Sequence, residues 1–223
     1  MAQDVFPATM MTWIDARLQE GEAGRGDLNQ HIMSVYAWPL RVYFLGSRDR
    51  WLGDPDEVVQ GFLADRLGKS GFFDEWRKSG MRLRRWMINA FCFYLKELRR
   101  KRQRNDSVEA LGAESASPAG NPEQEFDRAY VVSLIRRALE QTQKVCEDEG
   151  LADHWHIFLL HYYQEQPYAG FAVDFGVDPP RAAVMARTAQ RKFRSVLRDL
   201  VARDGSADDL DGEIRSLLEG IAP

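Results

Sequence analysis

Strand signals are almost missing from these 223 residues. Alternating apolar and polar runs bounded by turn residues hardly occur, which argues against a sheet. No apolar run approaches the ~20 residues of a membrane span. The start, Met-Ala-Gln-Asp-Val-Phe-Pro, has no basic segment followed by a long apolar core, so no secretory leader is expected. Cysteine is scarce. Cys92 and Cys146, far apart in sequence, offer no disulfide framework and fit a reducing, cytoplasmic setting; both read as small core residues. There is no phosphate-cradling glycine-rich loop and no Ser/His/Asp arrangement. His154, His156 and His161 are neighbours in sequence, yet they do not share the helix face that an H-E-x-x-H type of metal site needs. No catalytic residue, metal or cofactor is assigned, and the chain is not expected to be an enzyme. No period of about 20 to 50 residues repeats, which excludes a solenoid.

What the chain does have is helical periodicity from end to end, and 44% hydrophobic residues to bury. The expected class is all-α. A short helix is predicted over 12–20 and a longer one over 28–45, kinked at Pro39. The next spans 55–67, with Asp54 as its cap and Pro55 at its first position. A loop with a short turn is predicted over 68–80, then a long basic helix. Residues 105–123 are small, polar and turn-rich, and read as a flexible linker reaching at most ~65 Å, roughly two turns of B-DNA. Asn121, Pro122 and Gln124 form a capping pattern that opens a second domain. Its first helix carries the apolar stripe Phe126, Tyr130, Leu134 and Ala138. Asp153 is the expected cap of a helix over 155–163, Pro167 opens a short helix, and Pro179 begins a final long one. The predicted organisation is an N-terminal extension (1–27), a first domain (28–104), the linker (105–123), a second domain (124–203) and an acidic tail (204–223).

The strongest signal lies between Trp76 and Arg104, where eleven Lys/Arg stand against one acid, Glu97. The whole chain has a formal charge of -4, so the remainder sums to -14. Leu83, Met87, Phe91, Leu95 and Leu98 recur every three or four residues and form an apolar stripe. Arg82, Arg85, Trp86, Asn89, Phe93, Lys96 and Arg100 fall on another face. That face mixes cations, an amide and two rings that are expected to be exposed. Cations suit phosphates, and rings suit unpaired bases. The plainer alternative is a solvated basic surface with incidental aromatics.

A second basic element follows. Pro167 to Arg198 has the proportions of a helix-turn-helix: a short helix ending at Gly176, a tight turn, and a capped second helix. Arg181, Arg187, Arg191, Lys192, Arg194, Arg198 and Arg203 give that second helix seven cations against one acid, Asp199. Arg181, Arg187, Arg191 and Lys192 are the candidate DNA contacts. The alternative is a plain helical hairpin with a basic exterior. Two DNA-facing surfaces on a flexible tether would suit two-point recognition of one duplex.

Taken together, these residues resemble a bacterial RNA polymerase sigma factor of the compact extracytoplasmic-function type, over about 28–203. Asp54-Pro55-Asp56-Glu57-Val58-Val59-Gln60-Gly61-Phe62-Leu63 is similar to the family's Asp-Ala-Glu-Asp-Leu-Val-Gln-Glu-Val-Phe helix. The run from Leu83 to Phe91, with Leu95 to Arg100, is similar to the segment that opens and reads the minus-ten element. Pro167 to Asp178 looks like the helix-turn-helix for the minus-thirty-five element.

The resemblance implies two domains like sigma regions 2 and 4 on a linker, and promoter recognition and opening as the function. It implies that Asp54, Asp56, Glu57 and Gln60 dock on the clamp helices of the polymerase β′ subunit. It places Arg82, Arg85, Trp86, Asn89, Lys96 and Arg100 on the single-stranded non-template strand of the minus-ten element. A base pocket is implied in the loop between Lys69 and Gly80. Arg181, Arg187, Arg191 and Lys192 are implied at the minus-thirty-five duplex, and an anti-sigma factor is a further candidate partner. The sequence departs from the family at Asp178-Pro179-Pro180-Arg181-Ala182-Ala183, where Ser/Thr and a Thr-Val-Lys run are usual, and at Gly170, which replaces a common acid. The acidic tail, with Ile214, Leu217 and Leu218 on one side of a short helix, is expected to pack on the second domain or else to cover a basic helix. The competing function is a stand-alone helix-turn-helix regulator that binds duplex DNA as a dimer.

Overall fold

The computed structural model describes residues 13–69, 71–105 and 120–204. The described residues form eight α-helices and short 3-10 turns, and none is in a strand. None of the described helices is long and apolar enough to cross a membrane. The expected linker lies, apart from its ends, outside the described residues, and so does the acidic tail beyond Asp204. The chain divides into two compact units: Met1–Ser133 with Ala202–Pro223, and Leu134–Val201.

The first unit begins with α1 (Trp13–Gln19) and α2 (Gly21–Gly46). α2 starts well before the expected Leu28, because its three early glycines are tolerated there. At Gly24 one is required, since a Cβ would sit 2.0 Å from the Arg17 carbonyl oxygen. Pro39 lies inside α2 and is buried. α3 (Pro55–Leu67) follows the predicted grammar. The Asp54 carboxylate accepts the Asp56 and Glu57 backbone N–H groups at 2.9 and 3.1 Å, so two donors that a helix start leaves open are satisfied. Where a loop was expected there is α4 (Phe72–Ser79), closed by Gly80 in the left-handed conformation. Phe72, Phe73 and Trp76 bury its inner side.

α5 (Leu83–Asn105) buries Leu83, Met87, Ile88, Phe91 and Leu95, while Leu98 is half-buried. Phe91 is the ring on which the unit converges. It meets Phe62 of α3 at 5.0 Å and Tyr43 and Phe44 of α2 at 6.2 and 6.5 Å, all edge-on, the geometry that aromatic quadrupoles favour. The far end of α5 is tied back by Arg102, which donates to the Leu52 carbonyl and lies over the Trp51 ring. Cys92 is half-buried beside the Tyr43 hydroxyl at 3.1 Å, so it is less of a core residue than expected.

α6 (Pro122–Asp148) starts as its sequence predicts, with the Asn121 side chain accepting the Glu123 N–H at 3.1 Å. Its first part, to Ser133, belongs to the first unit. There Phe126, Ala129 and Tyr130 are buried.

In the second unit, α6 continues with Leu134, Ala138 and Cys146 buried. α7 (Ala152–Tyr162) is capped by Leu151, not by Asp153, which sits in the first turn. The reason is a tight reversal: Gly150 is left-handed, and the Leu151 N–H bonds the Cys146 carbonyl at 2.7 Å, so the helix begins early. The short helix expected after Pro167 is two 3-10 turns, Tyr168–Gly170 and Ala172–Phe175. Phe171, at φ -137°, breaks the run between them, and Gly170 adds no helix propensity. Gly176 is left-handed, the Asp178 carboxylate accepts the Arg181 N–H at 2.8 Å, and α8 (Pro179–Arg203) follows. Ile157, Phe171, Ala172, Ala182, Met185 and Ala186 form one core cluster; Cys146, Trp155, Phe158 and Ala189 form another.

Candidate nucleic-acid interface

α5 carries one stripe that matches its predicted polar face. At about 100° per residue, Arg82, Trp86, Asn89, Phe93, Lys96 and Arg100 fall within some 80° of each other. The stripe runs for roughly 27 Å at 1.5 Å per residue. Arg82, Phe93, Lys96 and Arg100 are exposed. Phe93 is 61% exposed, an unusual state for a phenylalanine, and the Lys96 ammonium stands 5.1 Å from its ring centroid. An open depression lined by Glu97, Arg100, Lys101, Gln103 and Arg104 continues the basic surface towards the helix end.

Two of the expected contacts, Trp86 and Asn89, are placed differently. Trp86 is half-buried rather than exposed: its ring packs on Phe72 at 5.8 Å, and its indole N–H is enclosed without a hydrogen-bond partner. The sequence does not show this, because the neighbour belongs to α4, where the turn signals predict a loop. Trp76 likewise belongs to the core and donates its indole N–H to the Met81 carbonyl at 2.8 Å. Asn89 is half-buried and points its amide at the Met81 sulfur, 3.7 Å away, a weak bond that a better acceptor would replace. The loop expected to hold a base pocket is largely α4.

Arg85 is exposed but engaged. Its guanidinium donates to the Glu123 carboxylate of α6 at 2.8 Å, and that bond, with the charge of Glu123, holds the Arg85 pKa above its ordinary range. Arg84 makes a looser contact with Asp127 at 3.5 Å and lies over the Tyr130 ring at 5.3 Å. The Arg85–Glu123 pair is solvent-exposed on both sides, so it contributes at most about 1 kcal/mol and yields readily to another anion.

Sequence reasoning missed a buried carboxylate in the unit. Asp204, just past the end of α8, accepts the Tyr36 hydroxyl at 2.8 Å and the Tyr130 hydroxyl, and His31 Nε2 stands 3.2 Å away. Its backbone carbonyl takes the Leu83 N–H, at the head of α5, at 3.0 Å. All four side chains are buried. Burial, and next the charge of Asp204, push both tyrosine pKa values well above the usual range. Trp13 covers the His31 ring edge-on at 5.2 Å, with the Arg203 guanidinium 4.6 Å from its own ring.

The acid-rich start of α3 is exposed on the first unit. Asp54, Asp56, Glu57 and Gln60 are all on the surface, above buried Val58, Phe62 and Leu63. Asp54 is committed to its cap, and Asp56 receives Arg41 of α2 at 3.0 Å.

In the second unit the four candidate contacts do not share a face. Arg187 and Arg191 lie within about 40° of each other, and Arg181 and Lys192 within about 20°, but the two pairs are on opposite flanks of the buried stripe. Lys192 is bonded to Glu149, in the turn just past α6, at 2.5 Å. Arg194 and Arg198 extend the Arg187–Arg191 line, so the cationic face of α8 is that row. Among the described residues, no group of three or more His, Cys, Asp or Glu side chains is arranged to hold a metal ion.

No family model, curated protein or solved structure matches this chain.

Proposed function

We propose that this protein is a promoter-specificity subunit of bacterial RNA polymerase, a sigma factor of the extracytoplasmic-function type. The observation that carries the reading is the α5 stripe. An exposed ring with a cation over it, flanked by Arg82 and Arg100, suits a strand whose bases are unpaired and whose phosphates run alongside. Support comes also from the order of surfaces along the chain: an acidic helix start, then the basic stripe, then the cationic row on α8. The sequence motifs quoted above carry the same order.

The work is binding rather than bond chemistry. Glu57 and Gln60, with Asp56, present an acidic dock to basic clamp helices, while Asp54 holds the helix start that carries them. Opening DNA costs a few kcal/mol per unstacked base, and stacking on an aromatic ring returns ~1–3 kcal/mol. In this reading Phe93 takes the stacking role expected of Trp86. Lys96, Arg100 and Arg82 hold phosphates, and Arg85 joins them once it leaves Glu123. Arg187 and Arg191 are the duplex contacts of the second unit.

The test is reconstitution with core polymerase and run-off transcription from genomic fragments. The expected result is promoter-dependent transcripts with the wild-type chain, and loss of promoter opening with Arg85→Ala/Lys96→Ala at unchanged thermal stability. A stand-alone regulator would instead bind promoter duplex tightly without polymerase and fail to co-purify with it. Full open-complex formation by the double variant would refute the assignment of the stripe.

A further inference from the structure

The acidic segment that follows Asp204 starts from a fixed point. Asp204 is held by two tyrosine hydroxyls and stands beside His31, and its carbonyl bonds the first N–H of α5. Asp204, after which residues 205–223 follow in sequence, is therefore fixed next to the head of α5. Residues 205–223 carry five acids, Asp208, Asp209, Asp211, Glu213 and Glu219, against one cation, Arg215. Their apolar residues, Leu210, Ile214, Leu217, Leu218 and Ile221, recur at the spacing of one helix face. The stripe offers the complement: Arg82, Lys96 and Arg100 as cations, and Phe93 and Met81 as exposed apolar surface, 61% and 45% accessible. Length suits as well. Nineteen residues span about 28 Å as a helix and about twice that when extended, against roughly 26 Å from Leu83 to Arg100.

We infer that residues 205–223 dock on the α5 stripe and compete there with single-stranded nucleic acid. The segment acts as a built-in occupant that polymerase or a promoter must displace. Competition with DNA rests on the reading of the stripe given above; docking of the segment does not. A tether this short supplies an effective concentration of order 1 mM. An intrinsic dissociation constant of about 100 μM would then lower the apparent DNA affinity roughly tenfold. The contact is largely ionic, so the effect must shrink as salt rises.

The experiment compares the full chain, a chain ending at Asp204, and the full chain with Asp208→Asn, Asp209→Asn, Asp211→Asn and Glu213→Gln. Fluorescence anisotropy with labelled oligothymidylate reads DNA binding at about 50 mM and 500 mM salt. The synthetic peptide 205–223 is titrated into the truncated chain. Truncation and neutralisation are each expected to tighten oligonucleotide binding about tenfold at low salt and less than twofold at high salt. The peptide is expected to bind the truncated chain and to lose binding on Lys96→Glu/Arg100→Glu. Peptide binding without any DNA binding by any form leaves docking standing and removes the nucleic-acid reading of the stripe. Equal oligonucleotide affinity in all three chains where DNA does bind, or no peptide binding at up to about 1 mM, overturns the inference. The same holds if truncation acts but neutralisation does not.

Discussion

Asp204→Ala removes the acceptor shared by the most buried polar groups in the first unit. Tyr36 is fully buried, Tyr130 is 2% exposed and His31 4%, so water reaches none of them freely. The alanine leaves two hydroxyls and an imidazole nitrogen facing a small void. Each orphaned donor costs about 1–3 kcal/mol. The three do not add fully, because a water entering the space left by the carboxylate can satisfy part of the set. The expected loss is about 3–5 kcal/mol, a large share of the 5–15 kcal/mol typical of a domain. Tyr36→Phe is the contrast, since Asp204 keeps its other partners there and the cost should be only about 1–1.5 kcal/mol. In the Asp204→Ala background the same Tyr36→Phe change should cost almost nothing, giving a coupling energy near 1 kcal/mol. Urea titration followed by far-ultraviolet circular dichroism and by tryptophan fluorescence measures all four chains. Trp13, packed on His31 and beside Arg203, is one of the six tryptophans that this fluorescence reads. A loss below about 1 kcal/mol for Asp204→Ala, or an identical Tyr36→Phe cost in both backgrounds, would show that the four groups do not act together in solution.

Two further outcomes follow from the same unit. Gly24→Ala places a methyl group 2.0 Å from the Arg17 carbonyl oxygen, so α1 must move off α2, at a cost of at least about 2 kcal/mol; Gly26→Ala, with nothing within 4 Å, should instead stabilise the helix by about 0.5–1 kcal/mol, and thermal melts that rank the two alike would refute the close approach of Gly24 to Arg17. The raised tyrosine pKa values fix a pH dependence. The folded chain keeps both phenol protons at a pH where the unfolded chain, near pH 10, gives them up. Their contribution is thus complete below about pH 10 and is lost as pH rises beyond it. Urea midpoints measured from pH 7 to 11 should fall above pH 10, and less steeply in Tyr36→Phe/Tyr130→Phe; a flat wild-type profile would contradict the burial of these groups.

How much of this was legible in the sequence depends on the range of the interaction that decides each feature. Caps and turns are local, so Asp54 with Pro55, Asn121 with Pro122, and Gly176 stand where they were read. The buried side of α5 is periodic over a few turns and was equally plain. α4 was not, because eight residues between two glycines give too little periodicity to outweigh the turn signals at both ends. That omission had a consequence at the site. Without α4 nothing covers Trp86, and the ring is then counted as exposed, when Phe93 is the one that faces out. The split among the α8 cations could have been found from angles alone. Arg187 and Lys192 are five positions apart, about 140° around the helix, and cannot reach one groove together. The Asp204 cluster had no such signal. Its other members lie 74 to 173 positions from Asp204 along the chain, and each looks like an ordinary residue of an amphipathic helix. A lone aspartate after a run of basic helix reads as the start of an acidic tail. Only the fold shows that this carboxylate has donors on α2 and α6 and its carbonyl on α5.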